Sequence, residues 1–233
     1  MGTIWPSDVP KLSGKVPEIL AFLGTRWPST APKLPKDWSA SLIDFAALFP
    51  ISAALAAYGL HMMTFYYALG WAPSLVVALG FDPSQATIVS VFMNSGGAIG
   101  GLTLGLLSPR LGLRPLVIFS LAGAAAAVAV FGAVPPQLVV LQLAAFILGF
   151  LSNGSVVGLY ALIANVYPTT LRATGTGAVI GFGRFGAAFG PFAAGQLLAA
   201  GAGRGTTSLL LALGSGIAAL VLLASRIRPS DEN

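Results

Sequence analysis

The run LVVLQLAAFILGFLSNGSVVGLYALIA, Leu138–Ala164, carries no charged side chain from end to end. About 20 apolar residues at 1.5 Å rise each are enough for a helix to cross the hydrocarbon of a bilayer. The run does not alternate apolar and polar residues, as a strand of a membrane barrel would over about ten positions. It reads as a membrane-spanning helix. Five further segments read the same way: Phe45–Gly70, Ala86–Leu107, Leu116–Val134, Thr174–Ala200 and Thr206–Ser225. Turn chemistry separates them at Trp71-Ala72-Pro73, Phe81-Asp82-Pro83, Ser108-Pro109, Pro135-Pro136, Tyr167-Pro168 and Gly201–Gly205. The predicted fold class is all-α, an integral membrane protein of six transmembrane helices.

Composition agrees with that reading. Residues from the hydrophobic set make up 56% of the 233, before 29 glycines are added. Soluble domains reach about 45–50% with glycine included. Charged residues are 8%, against about 25% in a soluble domain. So few charges cannot keep the outside of a soluble fold wet. The absence of Cys excludes disulfides, thiolate nucleophiles and Cys-based metal sites, and a single His excludes a His-cluster metal site. No cofactor is expected, and the chain is not expected to be an enzyme.

Residues 1–40 are the one soluble-looking stretch, with six prolines and the cations Lys11, Lys15, Arg26, Lys33 and Lys36. Proline at that density blocks long helices, and Pro17–Leu23 is the only candidate turn of helix. No h-region and cleavage site follow the first basic residues, so the first span is expected to serve as the insertion signal. The expected division is a Pro-rich basic cytoplasmic segment (1–40), a six-helix body (41–228) and a short tail (229–233).

Charge placement predicts orientation. The five N-terminal cations, Arg110, Arg114, Arg172, Arg226 and Arg228 border one side, while Arg204 alone borders the other. An excess of Lys and Arg marks cytoplasmic loops, so both termini are expected in the cytoplasm of a multi-pass inner or plasma membrane protein. Cations spread along membrane borders form no nucleic-acid-binding face, although the net charge is +5.

The loop after the second segment reads GLLSPRLGLRP (Gly105–Pro115), and the one after the fourth reads YPTTLRATGTG (Tyr167–Gly177). The fifth segment continues as GFGRFGAAFGP (Gly181–Pro191). Together these resemble the C-terminal half of a major facilitator superfamily transporter, in the aromatic acid:proton symporter branch that includes 4-hydroxybenzoate transporters. The first loop resembles the cytoplasmic Gly-x-x-x-Asp-Arg-x-Gly-Arg-Arg pattern. Gly105, Arg110, Gly112 and Arg114 match it, with Pro109 in place of the Asp and Leu113 in place of an Arg. The second resembles the family's Tyr-Pro-Thr-x-x-Arg-Ala-Thr-Gly stretch, with Arg172 at the Arg position. The resemblance implies that Arg172 and Arg184 form an arginine pair used in transport. It also implies alternating access between two six-helix halves, of which this chain supplies one. The implied function is proton-coupled symport of a small organic, aromatic acid, with the bilayer, an organic anion, a proton and an N-terminal six-helix half as partners. Two alternatives stand beside it: a non-transporting six-helix remnant, and half of a transporter for another solute such as a sugar.

Arg184 lies mid-segment, where a charged residue costs roughly 2.5–3.5 kcal/mol on insertion scales. Arginine cannot shed its proton, so a carboxylate, carbonyls, water or an anionic substrate must offset the cost. The bland alternative is helix packing. His61 sits within the first segment, with Tyr58, Met62 and Phe65 on its helical face. The reading there is either a proton carrier in an aromatic cavity wall or a packed His. In the fourth segment Gln142, Phe146, Asn153 and Tyr160 share one face, facing either substrate or a neighbouring helix. The candidate substrate-binding set is Arg184, Tyr58, His61, Phe65, Phe146, Asn153 and Tyr160. The candidate gating set is Gly105, Arg110, Gly112, Arg114 and Arg172. Glycines Gly97, Gly101, Gly105, Gly186 and Gly190 are read as points where helices approach closely.

Overall fold

The computed structural model describes residues 49–166 and 172–225. They form six helices: α1 (Phe49–Ala78), α2 (Pro83–Leu111), α3 (Leu113–Ala133), α4 (Leu138–Val166), α5 (Arg172–Ala199) and α6 (Arg204–Ala224). Among the described residues there is no strand. By length and composition α2, α3, α4 and α6 can each cross a membrane. Helices α1 and α5, at 30 and 28 residues, are of comparable length but carry polar and charged side chains within their span. α1 carries His61 and three tyrosines, and α5 carries two arginines among its glycines. The N-terminal segment 1–40, Asp44, the Tyr167–Leu171 stretch, Arg226, Arg228 and the tail lie outside the described residues.

Two expected breaks are not breaks. α1 runs through Pro73 to Ala78 instead of ending at Gly70. Pro73 removes one backbone hydrogen bond, but the added turns bury Ala72, Leu75 and Val76 in the core. α2 likewise continues through Pro109 to Leu111. The missing Pro109 N–H would have served the carbonyl of Gly105, and the Ser108 hydroxyl donates to that carbonyl instead at 3.0 Å. The turn comes at Gly112, whose φ of +82° favours glycine and whose N–H closes α2 on the Ser108 carbonyl. The break before Pro83 holds, with Pro83 as the first helical residue and Asp82 as N-cap.

The helices pack chiefly in pairs: α2 on α4, α1 on α5 and α3 on α6. The first two pairs touch backbone to backbone. A Cβ at Gly186 or Gly190 would overlap the carbonyl oxygen of Gly59 or Met63, so α5 lies directly on α1. On α2 the closest approach falls at Gly96 and Gly100, against the Phe146 and Phe150 carbonyls. The expected line Gly97–Gly101–Gly105 is offset from it by one residue. Gly97 and Gly101 meet side chains of α4, and Gly105 meets nothing within 4 Å. One residue is a 100° turn of the helix, enough to move the contact line.

The α3–α6 pair is antiparallel and tied at both ends by arginine. Arg114, in the first turn of α3, donates from Nη2 to the carbonyls of Leu222 (2.9 Å), Leu223 (3.3 Å) and Ser225 at the C-terminus of α6. Arg204, the first residue of α6, donates to the carbonyl of Val134 at the C-terminus of α3. Helix C-termini carry orphan carbonyls and partial negative charge, which a guanidinium satisfies.

The apolar interior divides into two clusters along the helices. Tyr67, Val76, Phe131 and Leu141 belong to one, and Tyr58, Val117, Leu159 and Leu222 to the other. Between them lies a polar layer. His61 is fully buried there, with Nε2 donating to the Ser152 carbonyl at 3.1 Å and Nδ1 2.8 Å from the Ser215 hydroxyl. In a neutral imidazole one ring nitrogen donates and the other accepts, so the Ser215 hydroxyl donates to Nδ1. Thr64 donates to the Leu211 carbonyl and accepts the Ser215 N–H.

Candidate functional site

Arg184 sits twelve residues after the start of α5, near the middle of the helix. Its neighbour Gly183 faces α1, where a Cβ would overlap the ring of Tyr58. One residue further round the helix, the Arg184 side chain remains exposed beside α1. Nη1 donates to the hydroxyl of Tyr66 at 2.9 Å. Asp82, at the far end of the α1–α2 turn, is the sole carboxylate among the described residues. A hydrogen bond involving a charged group contributes about 1.5–3 kcal/mol at best, while the guanidinium has four further N–H donors.

Around Arg184 the rings form a short chain. Tyr66 and Phe65 meet edge to face at 5.5 Å between centroids. Phe65 in turn lies 6.3 Å from the His61 ring and borders a cleft of about 110 Å³ between α1, α2 and α4. Asn153 is half-buried at that cleft and donates to the Gly97 carbonyl at 2.9 Å, tying α4 to α2. Tyr160 is exposed by 37%, and its hydroxyl lies 3.1 Å from that of Tyr58. Phe146 is half-buried on the same face of α4.

Phe65, Asn153, Phe146, Tyr160 and Arg184 therefore keep some exposed surface. Two members of the expected set do not. His61 lines no open space, because serines from α4 and α6 take both ring nitrogens. Its ring is packed between these helices. Tyr58 is 2% exposed, since glycine at 183 lets its ring lie on α5. The cavity wall expected from Tyr58, Met62 and Phe65 thus reduces to Phe65, with Tyr66 beside it. Tyr66 was not in the expected set, nor were Asn94 and Ser152 at the cleft. A Phe-Tyr-Tyr run in α1 was the available signal for Tyr66. Of the motif residues, Arg110 lies in the last turn of α2, Gly112 makes the α2–α3 turn and Arg114 caps α6. Arg172 opens α5 and Gly105 is exposed.

Membrane-length helices packed in pairs, with an arginine at mid-helix beside a tyrosine hydroxyl, define a polytopic membrane protein. Residues 54–233 match the family model of the Major Facilitator Superfamily, and the chain belongs to that family. Its relatives are transporters, not enzymes, and they include carriers of aromatic acids. It is 37% identical to the 3-(3-hydroxy-phenyl)propionate transporter of Escherichia coli (strain K12), over 74% of this chain and 44% of that protein. It is 30% identical to the gallate transporter of Pseudomonas putida, over 72% of this chain and 37% of that protein. It is also 30% identical to a 4-hydroxybenzoate transporter of Pseudomonas putida, over 62% of this chain and 32% of that protein. The chain thus spans less than half the length of these curated relatives.

Proposed function

We propose that this chain forms one of two six-helix bodies of a proton-coupled carrier for small aromatic acids in the cytoplasmic membrane. The observation that carries the reading is Arg184, a permanent cation at mid-helix whose described partner is the neutral Tyr66 hydroxyl. An aromatic carboxylate supplies the missing charge and accepts two parallel N–H bonds from the guanidinium fork. Phe65, Tyr66, Phe146 and Tyr160 offer ring surface, and Asn153 a polar contact. A second six-helix body, on the same or another polypeptide, closes the site from the opposite side and supplies the group that exchanges a proton. Alternating access then follows from one body rocking against the other. Gly105, Arg110, Gly112, Arg114 and Arg172 line the cytoplasmic border, with both termini on that side.

The test is uptake of labelled 4-hydroxybenzoate into vesicles with an imposed proton gradient. A transporter containing this chain accumulates the acid, and Arg184→Lys impairs accumulation at unchanged membrane abundance, since lysine keeps the charge but loses the planar fork. Normal uptake by that variant would return Arg184 to a packing role. The 233-residue chain alone gives no concentrative uptake. Saturable, gradient-driven accumulation by it would replace the second body with a second copy of this chain. Reporters fused at Asn233 and within Gly201–Gly205 report opposite sides of the membrane, and identical signals would overturn the orientation.

A further inference from the structure

Helices α1–α3 and α4–α6 repeat one another in register, as inverted three-helix repeats do. Gly186 and Gly190 lie on the carbonyls of Gly59 and Met63. They follow Gly96 and Gly100 by 90 positions, and those lie on the carbonyls of Phe146 and Phe150. Arg204, which caps α3, follows Arg114, which caps α6, by the same 90. The α5–α1 pair is thus the counterpart of the α2–α4 pair. In that register Arg184 on α5 falls on Asn94 on α2. Each stands two residues before the first contact glycine and near mid-helix, and each side chain is exposed.

The two residues also meet α1 at one level. Arg184 donates to Tyr66, and Asn94 lines the α1/α2/α4 cleft with the adjacent residue Phe65. They flank this stretch from different helices, on the order of one helix diameter apart, about 10–12 Å. Asn94 gives one N–H to the Ser90 carbonyl of its own helix at 2.8 Å and keeps a second N–H and its amide oxygen. The amide is neutral, and so is every other side chain lining the cleft. Arg110, the other cation of α2, is sixteen residues on, about 24 Å by helix rise. A cavity of about 150 Å³ holds a benzene ring, and the cleft measures about 110 Å³. It takes a ring edge and the substituent on it. One side of the Phe65–Tyr66 stretch therefore carries a permanent cation, and the other carries no charge.

Building on the proposed carboxylate role of Arg184, we infer that Asn94 is a specificity-determining residue that reads the end of the ligand remote from Arg184 and excludes a second carboxylate there. A neutral substituent in that place meets an amide that both donates and accepts. A carboxylate there leaves water for a site with no cation to compensate it, which costs more than burying a neutral polar group. The repeat offers two equivalent places for a guanidinium and fills one. That asymmetry selects monoanions.

The test is equilibrium binding of benzoate, 4-carbamoylbenzoate and benzene-1,4-dicarboxylate to the full 233-residue chain in lipid nanodiscs at neutral pH. The last two have nearly the same shape and differ in charge, so the wild-type comparison depends on no variant. The wild type is expected to bind the dicarboxylate about tenfold or more weaker than 4-carbamoylbenzoate. Asn94→Arg places a guanidinium at the counterpart of Arg184 and reverses that order, and Asn94→Lys acts in the same direction. Helical circular dichroism reports the fold of each variant. Thr87→Arg, two turns away on the same exposed side of α2, leaves the wild-type order. Equal binding of the dicarboxylate and 4-carbamoylbenzoate by the wild type would overturn the inference. So would an order that survives both cationic substitutions at Asn94, or one that Thr87→Arg reverses equally. If Arg184→Gln abolishes binding of all three acids while the Asn94 variants keep the wild-type order, the selectivity role falls and the carboxylate role stands. If Arg184→Gln leaves benzoate binding unchanged, both readings fall together.

Discussion

Helices α3 and α6 and helices α1 and α5 use arginine in opposite ways. In the first pair each arginine stands at a helix end and points its donors at the terminal carbonyls of the other helix. Between the ends the two helices are almost wholly apolar and 21 residues long. In the second pair the arginine stands mid-helix and meets the tip of a phenol. A guanidinium at a helix C-terminus completes a backbone that folding left unfinished, whereas one at mid-helix has no such backbone to serve. Position within the helix, not residue type, separates the two capping arginines from the one left exposed at mid-helix.

The largest effect is expected from glycine, because of these two pairs only α1–α5 has glycine laid directly on the partner's carbonyls. Gly190→Ala drives a methyl into the Met63 carbonyl and costs about 1–3 kcal/mol or more. Gly216→Ala in α6 meets the Ala125 Cβ at 3.8 Å and is neutral or stabilising by up to about 1 kcal/mol, from helix propensity. Thermal unfolding of the two variants in detergent measures the difference, and equal losses would remove the distinction between the pairs. Next, lysine separates the arginines. Arg184→Lys weakens aromatic-acid binding by about tenfold or more, as expected for loss of a bidentate contact. Arg114→Lys retains stability, because a single nitrogen of Arg114 does the capping. Arg114→Gln, which keeps a donor but loses the charge, costs about 1 kcal/mol of stability and leaves ligand binding unchanged. The smallest effect is assigned to Tyr66→Phe, which frees Arg184 from its phenol and changes acid affinity by roughly threefold in either direction. A loss as large as that of Arg184→Lys would make Tyr66 a direct ligand contact.

Helix number and most breaks were legible because they depend on local chemistry: long uncharged runs, Pro83 behind an N-cap Asp82, Pro135-Pro136, and the positive φ of Gly201. Pro73 was misleading because a proline ends a membrane helix only if the next turn has nothing to bury, and Val76 is fully buried. Arg184 was legible as a charge in an apolar run. Tyr66 was not, since their bond joins residues 118 apart and depends on how α1 and α5 lie against each other. The same limit applies to His61. A lone histidine in an apolar segment reads two ways until Ser152 and Ser215, from two other helices, are known to take both nitrogens.

The paired arginine caps also have a mechanical consequence. They sit at opposite ends of an antiparallel couple, so axial displacement of either helix strains both. A slip by one turn, about 5.4 Å, would pull both guanidinium groups off their carbonyls at once. The two caps therefore oppose ratcheting of α3 past α6 and hold the two helices in one register.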